Sequence, residues 1–321
     1  MGCIGRIMRK FNHILLAAIF VLMLALPVVA FSATETSYTE RSFPATTGGS
    51  VTIDASFHTV EVTARPGSTV DVVVDLEISA SEKKAKRMLA EYEPRFEVNG
   101  DDIVIRSTRE KATWNWGWNK TKGKITVLMP SDMDLVVDNS SGAVLLQGDF
   151  GDAEVSVDNS SGSVKGETAM AALSVDNSSG RTEIKALRPL DQFQVDCSSG
   201  SVSFEGGAIS VKVDSSSGSV ELYGLLGDAN VDTSSGSVKA EWQSIPPGAT
   251  VRVDTSSGGV RLGFPEGTQF DGEIDTSSGG IHSDFPGAKE KSNYWRFEGG
   301  SSAVQLVVDT SSGGVRLGVI D

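Results

Sequence analysis

One eight-residue unit recurs nine times between residues 137 and 315 and constrains the fold more than any other feature of the chain. Each copy consists of an apolar residue, Asp, a variable residue, Ser, Ser, Gly, a variable residue and a final apolar residue, which is Thr182 in one copy. The copies occupy residues 137–144, 157–164, 175–182, 195–202, 213–220, 231–238, 253–260, 274–281 and 308–315. Their aspartates are 18–22 residues apart, except for a gap of 34 residues before the last copy. A near-constant short period is the signature of a repeat architecture.

Each copy predicts a short strand, a turn and a second short strand. Ala153, Val155 and Val157 alternate with polar residues, which is typical of a half-buried strand. Ser-Ser-Gly favours a turn, because serine bonds to nearby backbone and glycine accepts positive φ without steric cost. No helical periodicity of useful length occurs within the repeats, so repeats built of helices are excluded.

Stacking these units predicts an all-β fold, a single-stranded parallel β-solenoid with about 18–22 residues per coil. The residue before the aspartate is Val in eight copies and Ile274 in the ninth, so stacking in register forms one buried aliphatic ladder. The residue two positions after the glycine forms a second ladder. A propeller is the main alternative, but its blades need about twice this period.

Three regions are predicted: residues 1–30, an N-terminal solenoid segment at 31–130, and a regular repeat segment at 131–321 with an insertion at 283–302. Within 31–130, strands are expected at 48–64, 69–78, 96–106 and 124–129. One short helix is expected near residues 81–93, with Ser81 at its N-cap and Pro94 beyond its end. The last residues, 315–321, should form an open edge of the solenoid unless the insertion folds over it.

Residues 1–30 have the pattern of a secretory signal peptide. Arg6, Arg9 and Lys10 precede an uncharged apolar run from Ile14 to Ala30, and small residues near Ala30 suit cleavage between residues 30 and 33. The alternative is an uncleaved membrane anchor, because 17 apolar residues are at the short limit of a membrane span. The protein is therefore predicted to be exported, to the periplasm or to the cell surface.

Charge and cysteine content limit the partners and the means of stabilisation. The chain has 42 acidic and 28 basic residues, and removing residues 1–30 lowers the net charge from −14 to −17, because three basic residues and no acidic ones leave. Nucleic acid is excluded as a partner, since phosphate binding needs a basic surface. After cleavage Cys197 is the only cysteine, so the mature chain has no intrachain disulfide. It occupies a position held by Asn, Ser or Thr in the other repeats, and we interpret it as a small-residue substitution rather than a linking thiol.

The strand leading to Met129 and Pro130, the strand at Leu135–Val137 and the tandem Ser-Gly-x-Val turns resemble bacterial proteins with the domain of unknown function 4097, described as candidate adhesins. The resemblance covers most of residues 48–318. It implies an exported right-handed β-solenoid with a role in surface attachment or the cell envelope, and it implies no catalytic residues. Trp114–Trp118 and the helix have no counterpart in the pattern.

The repeat aspartates form the first candidate site. In a stacked solenoid they make a column of carboxylates about 4.8 Å apart, which repel one another. One hypothesis is structural, with each aspartate accepting bonds from the Ser-Ser-Gly N–H groups as an Asx-turn. The other is that the column binds Ca²⁺. The residues are Asp138, Asp158, Asp176, Asp196, Asp214, Asp232, Asp254, Asp275 and Asp309.

Trp114, Trp116 and Trp118 form the second candidate site, because alternate residues of an extended segment point the same way. Three interpretations stay open: a buried stripe, a platform that stacks on glycans or touches a membrane, and an aromatic plug over one end of the solenoid.

No catalytic constellation stands out. The mature chain has two histidines, His58 and His282, and no Gly-x-Ser-x-Gly motif, so a serine hydrolase is disfavoured. We predict a non-enzymatic, monomeric protein of the envelope or surface with no cofactor, no metal and an unidentified partner, for which a glycan is one candidate. The alternatives are a carbohydrate-active enzyme using paired carboxylates and a scaffold that assembles end to end.

Overall fold

The structure, a computed structural model, describes residues 32–45, 48–109 and 119–320. These residues are mostly β-strand, and the single helix among them, α1 (Glu82–Tyr92), lies between β4 and β5. In chain order the strands are β1 (Ser32–Pro44), β2 (Ser50–Ala55), β3 (His58–Ala64), β4 (Thr69–Ser81), β5 (Arg95–Asn99), β6 (Asp102–Ser107), β7 (Lys120–Met129), β8 (Asp134–Asn139), β9 (Val144–Asp149), β10 (Glu154–Asn159), β11 (Val164–Ala169), β12 (Ala172–Asn177), β13 (Thr182–Ala186), β14 (Leu190–Cys197), β15 (Val202–Glu205), β16 (Ala208–Ser217), β17 (Val220–Leu225), β18 (Asp228–Ser235), β19 (Val238–Trp242), β20 (Thr250–Ser257), β21 (Val260–Phe264), β22 (Phe270–Ser278), β23 (Ile281–Ser283), β24 (Ala288–Lys291), β25 (Tyr294–Glu298), β26 (Val304–Ser312) and β27 (Val315–Val319).

The strands form two long sheets. In the described part of the chain, sheet A has 13 strands in the order β1-β4-β7-β3-β9-β11-β13-β15-β17-β19-β21-β27-β23. Sheet B has 14, in the order β24-β25-β22-β26-β20-β18-β16-β14-β12-β10-β8-β2-β6-β5. Each repeat contributes one strand to sheet B and the next to sheet A, and the repeat strands pair in parallel with those of neighbouring coils. The predicted all-β, parallel stack is confirmed, with antiparallel strands added at its ends.

The two predicted aliphatic ladders are confirmed and form the core. Val137 and Val157 are in register in sheet B, and Val144 and Val164 are in register in sheet A. All four are at most 1% exposed, and the inward residues of both sheets belong to one continuous cluster. Burying each such side chain contributes about 1.5–3 kcal/mol before chain entropy is subtracted. The core therefore runs the length of the stack, and within the described ranges no disulfide crosses it, since Cys197 is free.

The order of the coils differs from their order in the sequence at the C-terminal end. Strand β26 lies between β20 and β22 in sheet B, and β27 lies between β21 and β23 in sheet A. The insertion at 283–302 contains the hairpin β24–β25, whose second strand pairs antiparallel with β22. The prediction that residues 315–321 form the open edge is wrong for β27. The hairpin occupies the outer side of β22, so the last coil pairs with the side of β22 that faces β20.

The N-terminal end has a similar arrangement. Strand β2 lies between β6 and β8 although it precedes both in the sequence. Antiparallel strands then cover this end, since β4 pairs with β7 and β1 pairs with β4. Antiparallel strands therefore cover the N-terminal end of both sheets and the C-terminal end of sheet B, whereas sheet A ends on the short parallel strand β23. This leaves little parallel edge available for pairing with another chain.

The predicted helix is confirmed, with Ser81 at the N-cap of α1 and Glu93 after its last residue. It packs on β1 and β4 through a buried side that includes Ala85 and Met88. Residues 96–106 form strand as expected, but the strand is interrupted. They form the antiparallel hairpin β5–β6, which turns at Gly100 with a φ of 66°, a conformation that glycine adopts at no steric cost.

Candidate functional site

The aspartates form one continuous column on the outward face of sheet B. Parallel register places Asp158 between Asp138 and Asp176, and it places Asp309 between Asp254 and Asp275. Asp54 of β2 pairs with Asp138 and adds a tenth member to the nine that the repeats predict. Strand pairing sets the spacing at about 4.8 Å. In order along the stack the column is Asp54, Asp138, Asp158, Asp176, Asp196, Asp214, Asp232, Asp254, Asp309 and Asp275.

The aspartates do not cap the turns as the Asx-turn hypothesis requires. The Gly142 N–H donates to the Ser161 carbonyl at 2.9 Å, and the Gly200 N–H donates to the Ser217 carbonyl at 3.0 Å. This glycine-to-serine backbone hydrogen bond joins the Ser-Ser-Gly turn of one coil, here called its corner, to the corner of the next coil. Because these donors bind the neighbouring coil, the carboxylates are left to face solvent on the sheet.

Burial and neighbouring charges disfavour the ionised form at three aspartates of the column, Asp138, Asp196 and Asp232. Partial burial, followed by the charges of Asp214 and Asp176, raises the pKa of Asp196, and Lys212 acts against this. Burial and then Asp54 raise the pKa of Asp138. A raised carboxyl pKa means that the folded state favours the neutral form. At neutral pH, burial and then the neighbouring charges therefore make the ionised forms of Asp138 and Asp196 unfavourable for folding.

Replacing Asp196 with asparagine should raise the free energy of unfolding by about 0.5 kcal/mol at low salt, because one charge leaves the column while its shape is kept. Chemical denaturation at low and high salt measures the effect, which should shrink as salt screens the column. Asp191→Asn is the matched control, since Asp191 is an exposed residue of the same strand, β14, outside the column. An equal gain in both variants would contradict the repulsion.

Nothing among the described residues gathers three or more His, Cys, Asp or Glu side chains into a group that could hold a metal ion. Ca²⁺ takes six to eight oxygen ligands, and a single column offers each gap two carboxylates. The calcium hypothesis stays a prediction. Thermal unfolding in Ca²⁺ against chelator tests it, and an unchanged midpoint would remove it.

Behind the aspartates runs a buried column of small polar residues, one position further along each repeat. Cys197 belongs to it, at 3% exposure, with its Sγ 3.2 Å from Ser215 Oγ. Burial raises the pKa of the Cys197 thiol, so the thiol stays protonated and shielded. This matches a small-residue substitution. The column comprises Asn139, Asn159, Asn177, Cys197, Ser215, Thr233, Thr255, Thr276 and Thr310.

A serine–histidine pair that the sequence did not indicate lies at the N-terminal end. His58 Nε2 is 3.0 Å from Ser107 Oγ, and the Ser107 hydroxyl donates to the Tyr92 carbonyl at 2.7 Å. With that hydroxyl proton committed to Tyr92, Nε2 donates to Ser107, and Nδ1 accepts the Ser56 N–H at 3.4 Å. Both side chains are 0% exposed. The pair therefore joins the first corner to the end of α1 and is closed to any substrate.

A cavity of about 710 Å³ forms an open groove beside this pair. Phe57, which stacks on His58 with ring centroids 4.6 Å apart, lines it together with the exposed Tyr38 and residues 121–124 of β7. Trp114, Trp116 and Trp118 lie outside the described residues, as does the leader at 1–30. Their three interpretations remain predictions.

Within the described part of the chain, no helix is long and apolar enough to span a bilayer.

Solved structures with a similar chain trace include a candidate adhesin from Parabacteroides distasonis ATCC 8503, 14% identical, with a TM-score of 0.47 and coverage of 87% of this chain and 97% of that one. A candidate lipid-binding protein from the same organism is 14% identical, with a TM-score of 0.49 and coverage of 88% and 97%. A candidate adhesin from Bacteroides fragilis NCTC 9343 is 14% identical, with a TM-score of 0.38 and coverage of 88% and 97%.

A comparison with curated proteins found no match. A family model, in contrast, matches residues 50–318, which run from the start of β2 into β27 and include all nine repeats. The resemblance seen in the turns and in the strand before Pro130 is thereby confirmed, and the chain belongs to the Toastrack family, DUF4097.

Proposed function

We propose that this protein is an exported, non-enzymatic component of the bacterial envelope or cell surface that works by adhesion through a long acidic face. The observation that carries the proposal is the column of ten aspartates in register on sheet B. Burial and neighbouring charges raise the pKa of Asp138, Asp196 and Asp232, yet the carboxylate recurs in every repeat. A partner carrying positive charge or bridging cations would relieve the repulsion between neighbouring charges on binding.

The geometry suits multivalent attachment. Each coil offers the same carboxylate at the same height on the sheet, and the continuous core between the two sheets holds the coils in place. Weak contacts repeated along a rigid surface add up to strong binding when they engage together. The leader at 1–30 supports export, because its basic start and apolar run are those of a secretory signal.

The proposal is tested on a glycan array that includes neutral, acidic and amino sugars, using the chain from residue 31. We expect the native protein to bind the amino sugars and the triple variant Asp176→Asn, Asp196→Asn, Asp214→Asn to lose that binding. Asp191→Asn should bind normally. Trp116→Ala on the same array shows whether the tryptophan segment contributes. Binding that is indifferent to all of these variants would reject the acidic face as the adhesive surface.

Incubating pooled polysaccharides with the purified protein separates adhesion from the enzymatic alternative, since an adhesin leaves chain length unchanged. Measuring the particle size across a protein concentration series separates adhesion by a monomer from end-to-end assembly, in which the size grows with concentration. The antiparallel strands at the ends of the stack favour a monomer here.

A further inference from the structure

A column of four basic residues, two arginines, a lysine and a histidine, lies on the outward face of sheet A near the C-terminal end. Lys239 pairs in register with Arg261, Arg261 with Arg316, and Arg316 with His282. Strand spacing places neighbours about 4.8 Å apart. In a chain with 42 acidic and 28 basic residues, four such positions in a row on one sheet form a distinct local surface.

The two central members of this column lack a counter-charge. Lys239 Nζ is 2.8 Å from Glu241 Oε1, and His282 Nε2 is 3.0 Å from Asp284 Oδ1. Arg261 and Arg316 are both exposed, and neither forms an ion pair with another residue of the described ranges. Two adjacent guanidinium groups that repel each other and have no carboxylate partner favour an anion from outside the chain.

A groove of about 650 Å³ runs beside the two arginines, and glycine forms part of its floor. Gly259 and Gly314 occupy the position before the buried valine, where the neighbouring coil has Ser237. A Cβ at Gly259 would meet no atom nearer than 3.6 Å, and one at Gly314 none nearer than 3.4 Å. Packing therefore does not require glycine at these two positions. Their effect is to leave the backbone beside the arginines open to a ligand.

We propose that this arginine groove, formed by Arg261, Arg316, Gly259 and Gly314, binds an acidic polysaccharide. A guanidinium forms paired hydrogen bonds with a carboxylate or sulfate ester. A polymer with an anion on successive sugars would place those anions along the stacked arginines, and its hydroxyls would face Ser237 and the bare backbone. Nucleic acid fits less well, because a duplex carries one charge per about 1.7 Å of its axis, whereas the paired arginines lie on strands about 4.8 Å apart.

The groove lies on sheet A, whereas the aspartate column lies on sheet B, so this inference goes beyond the proposed function. A second copy of the chain is the competing occupant, since its aspartate column has the same spacing as the arginines. The polysaccharide is favoured because two such copies, each with a net charge of −17 without residues 1–30, would also repel each other over their whole length.

The test is titration of the chain from residue 31 with polygalacturonate, with dextran sulfate, and with neutral dextran as the blank, at low salt. We expect binding to at least one acidic polymer, and at least about tenfold weaker binding by the double variant Arg261→Gln, Arg316→Gln. Arg181→Gln is the matched control, because Arg181 is an exposed arginine beside sheet A outside the column, and it should bind normally. The two polymers distinguish carboxylate from sulfate recognition.

A second variant tests the floor of the groove. Gly259→Ser with Gly314→Ser restores the serine found in the neighbouring coil, so the fold and its unfolding midpoint should be unchanged while polymer binding weakens several-fold. Four results would overturn the proposal: no binding to either polymer, equal binding by the arginine double variant, tighter binding of a duplex oligonucleotide, or self-association that the double variant abolishes. None of these results depends on the Asp176, Asp196 and Asp214 variants. The arginine groove and the acidic face can therefore be rejected independently of each other.

Discussion

Alanine in place of Gly200 is expected to destabilise the protein by about 3 kcal/mol. The substitution removes no native contact, and the whole effect comes from the added methyl group. Gly200 has a φ of 150° at the corner of its coil, where an L-residue is strained. A Cβ there would also collide with the carbonyl oxygen of Gly180, the corner glycine of the preceding coil. The Gly200 carbonyl in turn faces Gly218 in the same way. The added Cβ therefore causes both the backbone strain and the collision. Neither can be relieved without separating the two coils.

Chemical denaturation followed by circular dichroism measures the loss. Gly280→Ala is the matched control, because Gly280 also lies at a corner but has no atom within 4 Å of its Cβ position and no left-handed φ. It should change the unfolding free energy by less than about 0.5 kcal/mol. Similar losses in both variants would show that the corners adjust freely and that close approach is not what requires glycine.

Acidification from about pH 6.5 to about pH 4 should remove about 3 kcal/mol of stability through His58 alone. Burial lowers the pKa of His58 from 6.5 to about 4. Between these two values the unfolded chain binds a proton that the folded chain does not, so stability is full above the unfolded pKa and is lost as the pH falls. Protonating Nδ1 would also place a second donor against the Ser56 N–H.

The measurement is the unfolding free energy at pH 7 and pH 4.5 for the native protein and His58→Gln, which cannot titrate in this range. The variant should lose most of the native pH dependence, whereas His282→Gln, at an exposed position, should keep it. The raised pKa values of Asp138, Asp196 and Asp232 act in the opposite direction, stabilising the fold as the pH falls. They are present in both proteins and cancel in the difference. An unchanged pH dependence in His58→Gln would show that His58 is not the titrating group.

Local pattern predicted most of the repeat structure. A two-residue alternation around Val155 and Val157 determines which side chains face the core, whatever coil lies next to them. Ser-Ser-Gly determines where the chain turns, because its conformational preferences act within a few residues. The helix at Glu82–Tyr92 followed from an N-cap residue and a terminating proline, which are also local.

The pairing of equivalent coils was decided by the tertiary structure. The copies at 253–260, 274–281 and 308–315 have almost the same sequence, so any of them can stack on any other at nearly equal free energy. The hairpin β24–β25 breaks that equivalence by occupying one side of β22, and the last coil then enters between the two copies that precede it. This insertion makes Arg316 the neighbour of Arg261, 55 positions earlier in the chain.

The same division holds at the N-terminal end and at the corners. His58 and Ser107 are 49 residues apart and meet only because β6 stacks on β2. The need for glycine in each turn could be inferred from its freedom in φ. The close contact with the neighbouring coil, which also requires glycine, is made between coils and could not be read from one repeat. Local backbone preferences and the pattern of polar and apolar side chains thus determined the structure of each coil. The packing of nearly identical coil edges decided the order in which the coils stack, and with it the charged surfaces that this order creates.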